Sequence, residues 1–228
     1  MYYIYLAATI KNSRLTPISK NKYFEPIGII NRTSEFTNAY TWVKLGDKEC
    51  IDGYTWIGNS IFGGEIACNI SPLINIDISS FEVYAGTQYA KDKNHVYYPI
   101  VIPCIDFEDC GVCFFSEYII KGANPETFRY LDKDYAKDNK FVYFRGKKIE
   151  NADSKSFKVI EGPDSFYFAK DKNNVYKHSS TFKDADALSF MYDANDYRNK
   201  PDPIKIYIIK DKNNVWKYSP PDLIKKIE

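Results

Sequence analysis

The sequence contains few of the residues that carry most enzyme and metal chemistry. Only two of its 228 residues are histidine, and its five cysteines are an odd number without the spacing of a disulfide framework. An excess of one charge is also missing, since 31 basic residues stand against 30 acidic ones. The formal charge of +1 gives no overall field that favours nucleic acid or an anionic membrane, so neither is expected as a partner.

Long apolar runs are missing as well, and none approaches the ~18 residues of a membrane span. The segment Met1–Ile10 is rich in tyrosine and has no basic stretch before its apolar residues, which is typical of a strand and not of a secretory signal. Free thiols agree with a reducing compartment. We therefore expect a cytoplasmic protein. A signal peptide removed upstream of Met1 would instead indicate the cell envelope.

Aromatic residues are abundant and predict the fold class. They make up 17% of the chain, with 20 tyrosines and 15 phenylalanines, and such residues favour strands over helices. A chain of this length also buries enough surface to fold without disulfides or a metal. The expected fold is mainly β.

Two short elements recur four times in the same order. One has the form Tyr-Ala-Lys-Asp-Lys-Asn-x-Val-Tyr, and it is preceded each time by Ala-Asp-x-x-Ser-Phe or a close variant. The period in the middle of the chain is 33 residues, as measured from Asp138 to Asp171 and from Phe157 to Phe190. The first element occupies Tyr89–Tyr97, Tyr135–Tyr143, Phe168–Tyr176 and Ile208–Trp216.

The residue types predict the conformation of each copy. Aspartate at the first position of a turn accepts backbone N–H bonds, and apolar residues on both sides indicate a β-hairpin. The segment Asp153–Phe157 is typical of a capped helical turn. Each copy is then two or three short strands plus a capped turn. Stacked neighbours are expected to share one core, with Tyr97, Tyr143, Tyr176 and Trp216 in similar settings.

These patterns predict tandem antiparallel β-hairpin repeats with short capped helical turns, plus a β-rich N-terminal region. That region covers residues 1–72 and is expected to pack on the repeats. The four repeats cover about residues 73–119, 120–148, 149–181 and 182–228.

Two insertions interrupt the repeat. About 17 residues are added around 99–116 and about seven around 193–203, and both segments mix acidic with aromatic residues. Loops that a rigid scaffold presents often carry binding specificity, although a tolerated surface insertion would look the same. The expected partner-binding residues are Asp106, Phe107, Glu108, Asp109, Asp193, Asp196, Tyr197 and Arg198.

Metal and catalytic sites are not expected. The Asp-x-Asn turns lack the glycine and the distal glutamate of a calcium loop, so they are interpreted as turn formers. Cys110 and Cys113, with Cys104 nearby, lack the further ligands of a zinc site unless the fold brings Cys50, Cys68 or His95 to them. We expect free thiols, no cofactor and no catalytic residue. One hypothesis for the function of the protein is an enzyme or metal-binding protein that uses Cys104, Cys110 and Cys113. It ranks third, after the two hypotheses given below.

The repeated Asp-Lys-Asn-x-Val-Tyr phrase, with Ala-Asp-x-x-Ser-Phe between its copies, resembles the bacterial DKNYY family over roughly residues 73–218. The second copy departs from the phrase at Asn139-Lys140. The resemblance implies a bacterial repeat protein and contributes no catalytic residues. Our leading hypothesis is a cytoplasmic binding protein, specifically an immunity protein that neutralises a cognate antibacterial toxin by protein–protein contact. The alternative is a surface or envelope repeat protein that displays binding loops.

Overall fold

The structure, a computed structural model, describes residues 30–32, 35, 40–63, 72–98, 118–163, 166–193 and 206–227. This part of the chain is mainly β, as predicted. Its strands β1 to β20 form five four-stranded sheets. The chain divides into an N-terminal unit, Met1–Glu126, and a C-terminal unit, Thr127–Glu228. No helix in the described ranges is long and apolar enough to cross a bilayer.

The N-terminal unit contains two of the sheets, with strand orders β1-β3-β4-β5 and β2-β6-β7-β8. All their pairings are antiparallel except β1 with β3. A 3-10 helix, Ile78–Ser80, precedes β6. The strands are β1 (Ile30–Asn31), β2 (Trp42–Lys44), β3 (Glu49–Ile51), β4 (Tyr54–Ile57), β5 (Ser60–Phe62), β6 (Glu82–Tyr84), β7 (Ala90–Lys91) and β8 (Val96–Tyr97).

The C-terminal unit contains three antiparallel meanders, one for each of the last three copies of the repeat. The central hairpin of each meander holds the Asp-containing turn, and one further strand pairs on either side of it. The strands are β9 (Arg129–Asp132), β10 (Tyr135–Lys137), β11 (Val142–Phe144), β12 (Lys147–Lys148), β13 (Lys158–Val159), β14 (Phe168–Lys170), β15 (Val175–Lys177), β16 (Ser180–Phe182), β17 (Met191–Tyr192), β18 (Tyr207–Lys210), β19 (Val215–Ser219) and β20 (Leu223–Lys226).

Each meander therefore has four strands, more than the two or three predicted from the sequence. In the second copy, tight turns connect the two outer strands, β9 and β12, to the central hairpin. In the second copy, Lys133 and Asp134 turn between β9 and β10 with φ of 48° and 65°, and Arg145-Gly146 turns between β11 and β12 with φ of 49° and 73°. Left-handed backbone at both central positions matches the twist of paired strands.

The sheet β3-β4-β5 follows the same backbone plan, although its sequence lacks the repeated phrase. Asp52 and Gly53 turn between β3 and β4 with φ of 46° and 86°, in the manner of the Lys133-Asp134 turn. A two-residue turn, Gly58-Asn59, replaces the Asp-containing turn between β4 and β5. The assignment of residues 1–72 to a single region stays a prediction, because residues 1–29 and 64–71 lie outside the described part.

Two hydrogen bonds support this equivalence. The hydroxyl of Tyr54, at the start of β4, donates to the carbonyl of Gln88 at 2.7 Å. The hydroxyl of Tyr135, at the start of β10, donates to the carbonyl of Tyr167 at 2.9 Å. Gln88 lies two residues before β7 and Tyr167 directly precedes β14, and these strands lead into the Asp92 and Asp171 turns. The N-terminal sheet therefore makes the same kind of contact as the one that links successive repeats.

Aromatic side chains connect consecutive sheets within each unit. Phe157, from the capped turn, lies 5.6 Å from Tyr135 and 5.6 Å from Tyr176 between ring centroids, and it is 3% exposed. Phe190 packs in the same way between Phe168 and Trp216. The repeated spacing within the chain therefore places the aromatic residues of successive copies in similar settings, as predicted.

The buried residues form separate clusters, each between two consecutive sheets, and not the single core expected from the sequence. The third copy shows why. Along β14, Phe168 joins the cluster shared with the fourth copy, whereas Ala169 joins the cluster shared with the second copy. Because side chains alternate across a strand, a sheet with a neighbour on both sides divides its apolar residues between two interfaces.

In the second and third copies, a lysine side chain binds the capped turn that follows. The ammonium of Lys137 donates to the carbonyls of Ser154 at 2.8 Å and Phe157 at 3.3 Å. That of Lys170 donates to the carbonyls of Leu188 at 3.2 Å and Phe190 at 2.9 Å. The last carbonyls of a helical turn lack partners within the turn, so these ammonium groups satisfy them. Burial lowers the pKa of both lysines.

Candidate functional site

The aspartates of the four repeated turns adopt one conformation. In each copy, carboxylate Oδ1 accepts two hydrogen bonds, from the backbone amides two and three residues further on, and all eight distances are 2.7 Å. This is the Asp-headed turn that the sequence predicts. The four residues are Asp92, Asp138, Asp171 and Asp211.

The second carboxylate oxygen has its own partners. Oδ2 of Asp171 accepts from the hydroxyl of Tyr176 at 2.8 Å and from the amide of Asp153, at the start of the capped turn, at 2.8 Å. Asp92 has the same two kinds of partner at 2.7 Å. In the fourth copy Trp216 has no hydroxyl, and the side-chain amide of Asn214 donates to Asp211 instead.

The carboxylates of Asp92 and Asp171 therefore each connect a turn, a strand and a capped turn. A carboxylate has about four acceptor positions, and Asp171 uses four within the protein. The arrangement accounts for the turn aspartates as structural residues and not as calcium ligands. Among the described residues, no three His, Cys, Asp or Glu side chains are grouped so as to hold a metal ion.

Opposing effects act on the pKa of Asp171. Burial disfavours its charged form, but the hydrogen bonds from the amides of Asp153, Asn173 and Asn174 and from Tyr176 outweigh burial and lower the pKa. The pKa of Tyr176 is raised, first by burial and then by its bond to Asp171. The pair is held as carboxylate and neutral phenol.

The aspartates that cap the helical turns form a second, more exposed group of carboxylates. Asp153 pairs with Lys172 at 2.5 Å, and Asp186 pairs with Lys212 at 3.1 Å. The hydrogen bond from Lys172 lowers the pKa of Asp153 to about 2. The hydroxyl and amide of Ser189, followed by Lys212, lower the pKa of Asp186 to about 2.

These shifts predict acid sensitivity. A carboxyl group with a lower pKa in the folded state stabilises the fold above its unfolded pKa of ~3.9, and that contribution is lost as the pH falls towards 2. We expect the urea midpoint of unfolding to fall between pH 5 and pH 2.5. Asp186→Asn should reduce this pH dependence, whereas Asp184→Asn, in an exposed turn, should leave it as in the parent. An equal pH dependence in all three proteins would contradict the assignment.

The two described histidines have packing roles. The His178 ring stacks on Phe144 with centroids 5.0 Å apart, in the tight turn between β15 and β16, and burial lowers its pKa. His95 stands in the Asp92 turn with Nδ1 3.5 Å from the Tyr97 hydroxyl. Both positions agree with their interpretation as turn residues of the repeat.

A groove of about 310 Å³ lies in the N-terminal unit between β2, β6 and the Asp92 turn. Its walls carry both charges, including Lys44, Glu82 and Lys91. The ammonium of Lys91 lies 3.7 Å from the carboxylate of Glu82 and 4.5 Å from the centre of the Trp42 ring. Because Lys91 is engaged within the protein, we assign the groove no ligand.

Most of the predicted partner-binding residues lie outside the described part of the chain: Asp106, Phe107, Glu108, Asp109, Asp196, Tyr197 and Arg198. Cys68, Cys104, Cys110 and Cys113 also lie outside it, whereas Cys50 is buried. Asp193 is described and has a structural contact, since its carboxylate lies 2.6 Å from the ammonium of Lys210.

The structure does define where both insertions begin and end. The first follows β8, and its two sides are joined by a bond from the amide of Tyr98 to the carbonyl of Tyr118 at 2.8 Å. It thus replaces the tight turn that Arg145-Gly146 forms in the second copy. The second insertion connects β17 to β18, where the second copy has Lys133-Asp134. In an antiparallel meander, both positions lie at the end of the sheet opposite the Asp-containing turn.

The model of the DKNYY family matches residues 107–180. This segment is similar to the DKNYY family. It includes the Asp138 and Asp171 turns, so the predicted resemblance is confirmed for the region that holds two of the four copies. No curated protein and no solved structure shows a significant match to the chain.

Proposed function

We propose that this DKNYY-family chain is a cytoplasmic binding protein, specifically an immunity protein that neutralises a cognate antibacterial toxin by direct contact. The observation that carries the proposal is the anchoring of the first insertion. Residues 99–117 begin and end on paired strands of a sheet whose repeated polar residues are already engaged in structural contacts. A scaffold of this kind can present a long loop without changing its own contacts.

The paired ends favour tight binding. The amide of Ile120 donates to the carbonyl of Val96 at 2.9 Å, one step beyond the Tyr98–Tyr118 bond. The two ends of the loop are therefore fixed before any partner arrives. Fixing the ends of a loop in advance reduces the conformational entropy that is lost on binding.

The composition of the insertion indicates the chemistry of the partner. Asp106, Glu108 and Asp109 surround Phe107 in the sequence. An aromatic anchor flanked by carboxylates suits a basic protein surface with an apolar pocket, in which the aromatic residue supplies affinity and the charges supply specificity and association rate. A toxin whose active surface is basic fits this description.

The proposal is tested by co-purification and by protection. The tagged full chain is expressed with the product of the adjacent gene, and complex formation and growth are measured. We expect a complex and rescue of growth. Replacing Asp106, Glu108 and Asp109 by their amides should weaken the complex by at least about tenfold, because charge pairs across an interface are removed.

A matched control distinguishes the insertion from general surface charge. The variant Glu150→Gln, Glu161→Gln and Asp222→Asn also removes three carboxylates, from exposed positions in the C-terminal unit. It should bind with unchanged affinity. If no complex forms and growth is not rescued, or if both triple variants behave alike, the proposal is wrong.

A further inference from the structure

Charge is divided unequally between the two units. The C-terminal unit contains 21 basic and 16 acidic residues, a formal charge of +5, whereas the N-terminal unit contains 10 basic and 14 acidic residues, a formal charge of −4. The overall charge of +1 conceals this division. An excess of positive charge in one unit indicates a surface for an acidic partner if the cations lie close together.

The cations of the C-terminal unit include two like-charged cross-strand pairs. Arg129 of β9 lies directly opposite Lys137 of β10, and Lys158 of β13 lies directly opposite Lys170 of β14. The matching pair of the first copy is Glu82 with Lys91, which have opposite charges. Like charges placed opposite one another destabilise a sheet, so local stability alone does not explain the two basic pairs.

The two pairs are connected. Lys137 donates to the carbonyls of Ser154 and Phe157, and these residues directly precede Lys155 and Lys158. Strands β9 and β13 are also in contact. We call the following set the basic ladder: Arg129, Lys137, Lys155, Lys158 and Lys170.

The outer members of the basic ladder are available to a ligand. The side chains of Arg129, Lys155 and Lys158 are exposed, and within the described ranges none of them has a carboxylate partner. The nearest aspartates on the capped turns, Asp153 and Asp186, are paired with Lys172 and Lys212. The described carboxylates of the same unit therefore form no ion pair with these three cations.

Exposed aliphatic side chains continue the surface into the fourth copy. Leu188 and Met191 occupy the positions that Lys155 and Lys158 occupy one repeat earlier, and they are 79% and 50% exposed. Lys170 donates to the carbonyl of Leu188 itself. The surface thus changes from cationic to aliphatic along successive repeats.

We propose that the basic ladder, together with Leu188 and Met191, is a second interaction surface that binds an acidic, leucine-containing segment of a partner protein. Carboxylates of such a segment pair with Arg129, Lys155 and Lys158, while its leucines pack on Leu188 and Met191. Arginine and methionine are enriched at protein interfaces. A phosphate backbone provides no partner for the two aliphatic side chains, which favours a protein over a nucleic acid.

The test uses the full chain and a fluorescent peptide with a Glu-Glu-Leu repeat, with oligo-dT of equal charge as the competing probe. Binding is measured by fluorescence anisotropy. We expect the triple variant Arg129→Gln, Lys155→Gln and Lys158→Gln to bind the peptide at least about tenfold more weakly. Leu188→Ser should weaken peptide binding and leave oligo-dT binding unchanged.

The matched control is Lys183→Gln, Lys217→Gln and Lys225→Gln, three exposed lysines of the same unit outside the basic ladder. It should bind the peptide as the parent does, and neither triple variant should have a lower urea midpoint than the parent, because replacing Arg129 and Lys158 removes like-charge repulsion. Equal weakening by the two triple variants, or tighter binding of oligo-dT than of the peptide, would overturn the proposal. The surface is independent of the insertions, so the Asp106, Glu108 and Asp109 variant should bind the peptide normally.

Discussion

Replacing Asp171 by alanine is expected to destabilise the C-terminal unit by about 3–5 kcal/mol. The carboxylate accepts three amide bonds and one hydroxyl bond, and the residue is only 4% exposed. Without it, these donors lose their acceptor in a place where water has little access. Each buried donor left unsatisfied costs about 1–3 kcal/mol, reduced here because the amides at the turn are partly solvated.

The neighbouring Asn173 supplies the control. Its amide donates to Asp171, but its exposed side chain makes no hydrogen bond to the described residues that alanine would remove. Asn173→Ala should therefore change stability by less than about 0.5 kcal/mol. Urea unfolding followed by far-UV circular dichroism measures both variants. A loss below about 1 kcal/mol for Asp171→Ala, or equal losses for the two, would remove the structural role assigned to the carboxylate.

Replacing Phe157 by alanine should have an effect of similar size, about 3–5 kcal/mol. The ring fills the interface between the sheets of the second and third copies, with aromatic neighbours on both sides. Alanine removes these contacts and leaves a cavity, because β-sheets fixed by backbone hydrogen bonds cannot close around the missing ring.

Two variants bracket this prediction in the same unfolding experiment. Phe157→Leu keeps most of the buried volume and should cost less than half as much as alanine. Leu188→Ala alters a capped turn at a position that is 79% exposed, and should be nearly neutral. If Phe157→Ala were also nearly neutral, the sheets would not be held together by these aromatic residues.

Local chemistry made the repeat predictable from the sequence. Asp171 and Asp153 precede turn-forming residues, and in the structure they accept the backbone bonds expected of them. The role of Tyr176 was not predicted, since its hydroxyl meets Asp171 across a hairpin. The signal was present in the spacing, because three of the four copies carry tyrosine five residues after the aspartate.

Contacts between repeats were harder to predict than contacts within them. The lysine before each turn aspartate is present in all four copies. In the second and third copies its partners are main-chain carbonyls, which have no sequence signature. The N-terminal sheet was not recognised as a repeat because Gly58-Asn59 replaces the Asp-containing turn. The spacing from Leu73 to Phe81 equals that from Ile149 to Phe157 and could have revealed it.

The contacts of Lys137 and Lys170 with the copy that follows in the sequence have a consequence for biosynthesis. Each ammonium, and each aromatic face beside it, finds its partner in the capped turn of the following copy. A sheet leaving the ribosome therefore keeps one apolar face open until the following capped turn has been translated. Each sheet of the nascent C-terminal unit therefore completes its packing only when the next copy has been translated. A translational pause within a copy prolongs the exposure of the apolar face of the sheet made before it.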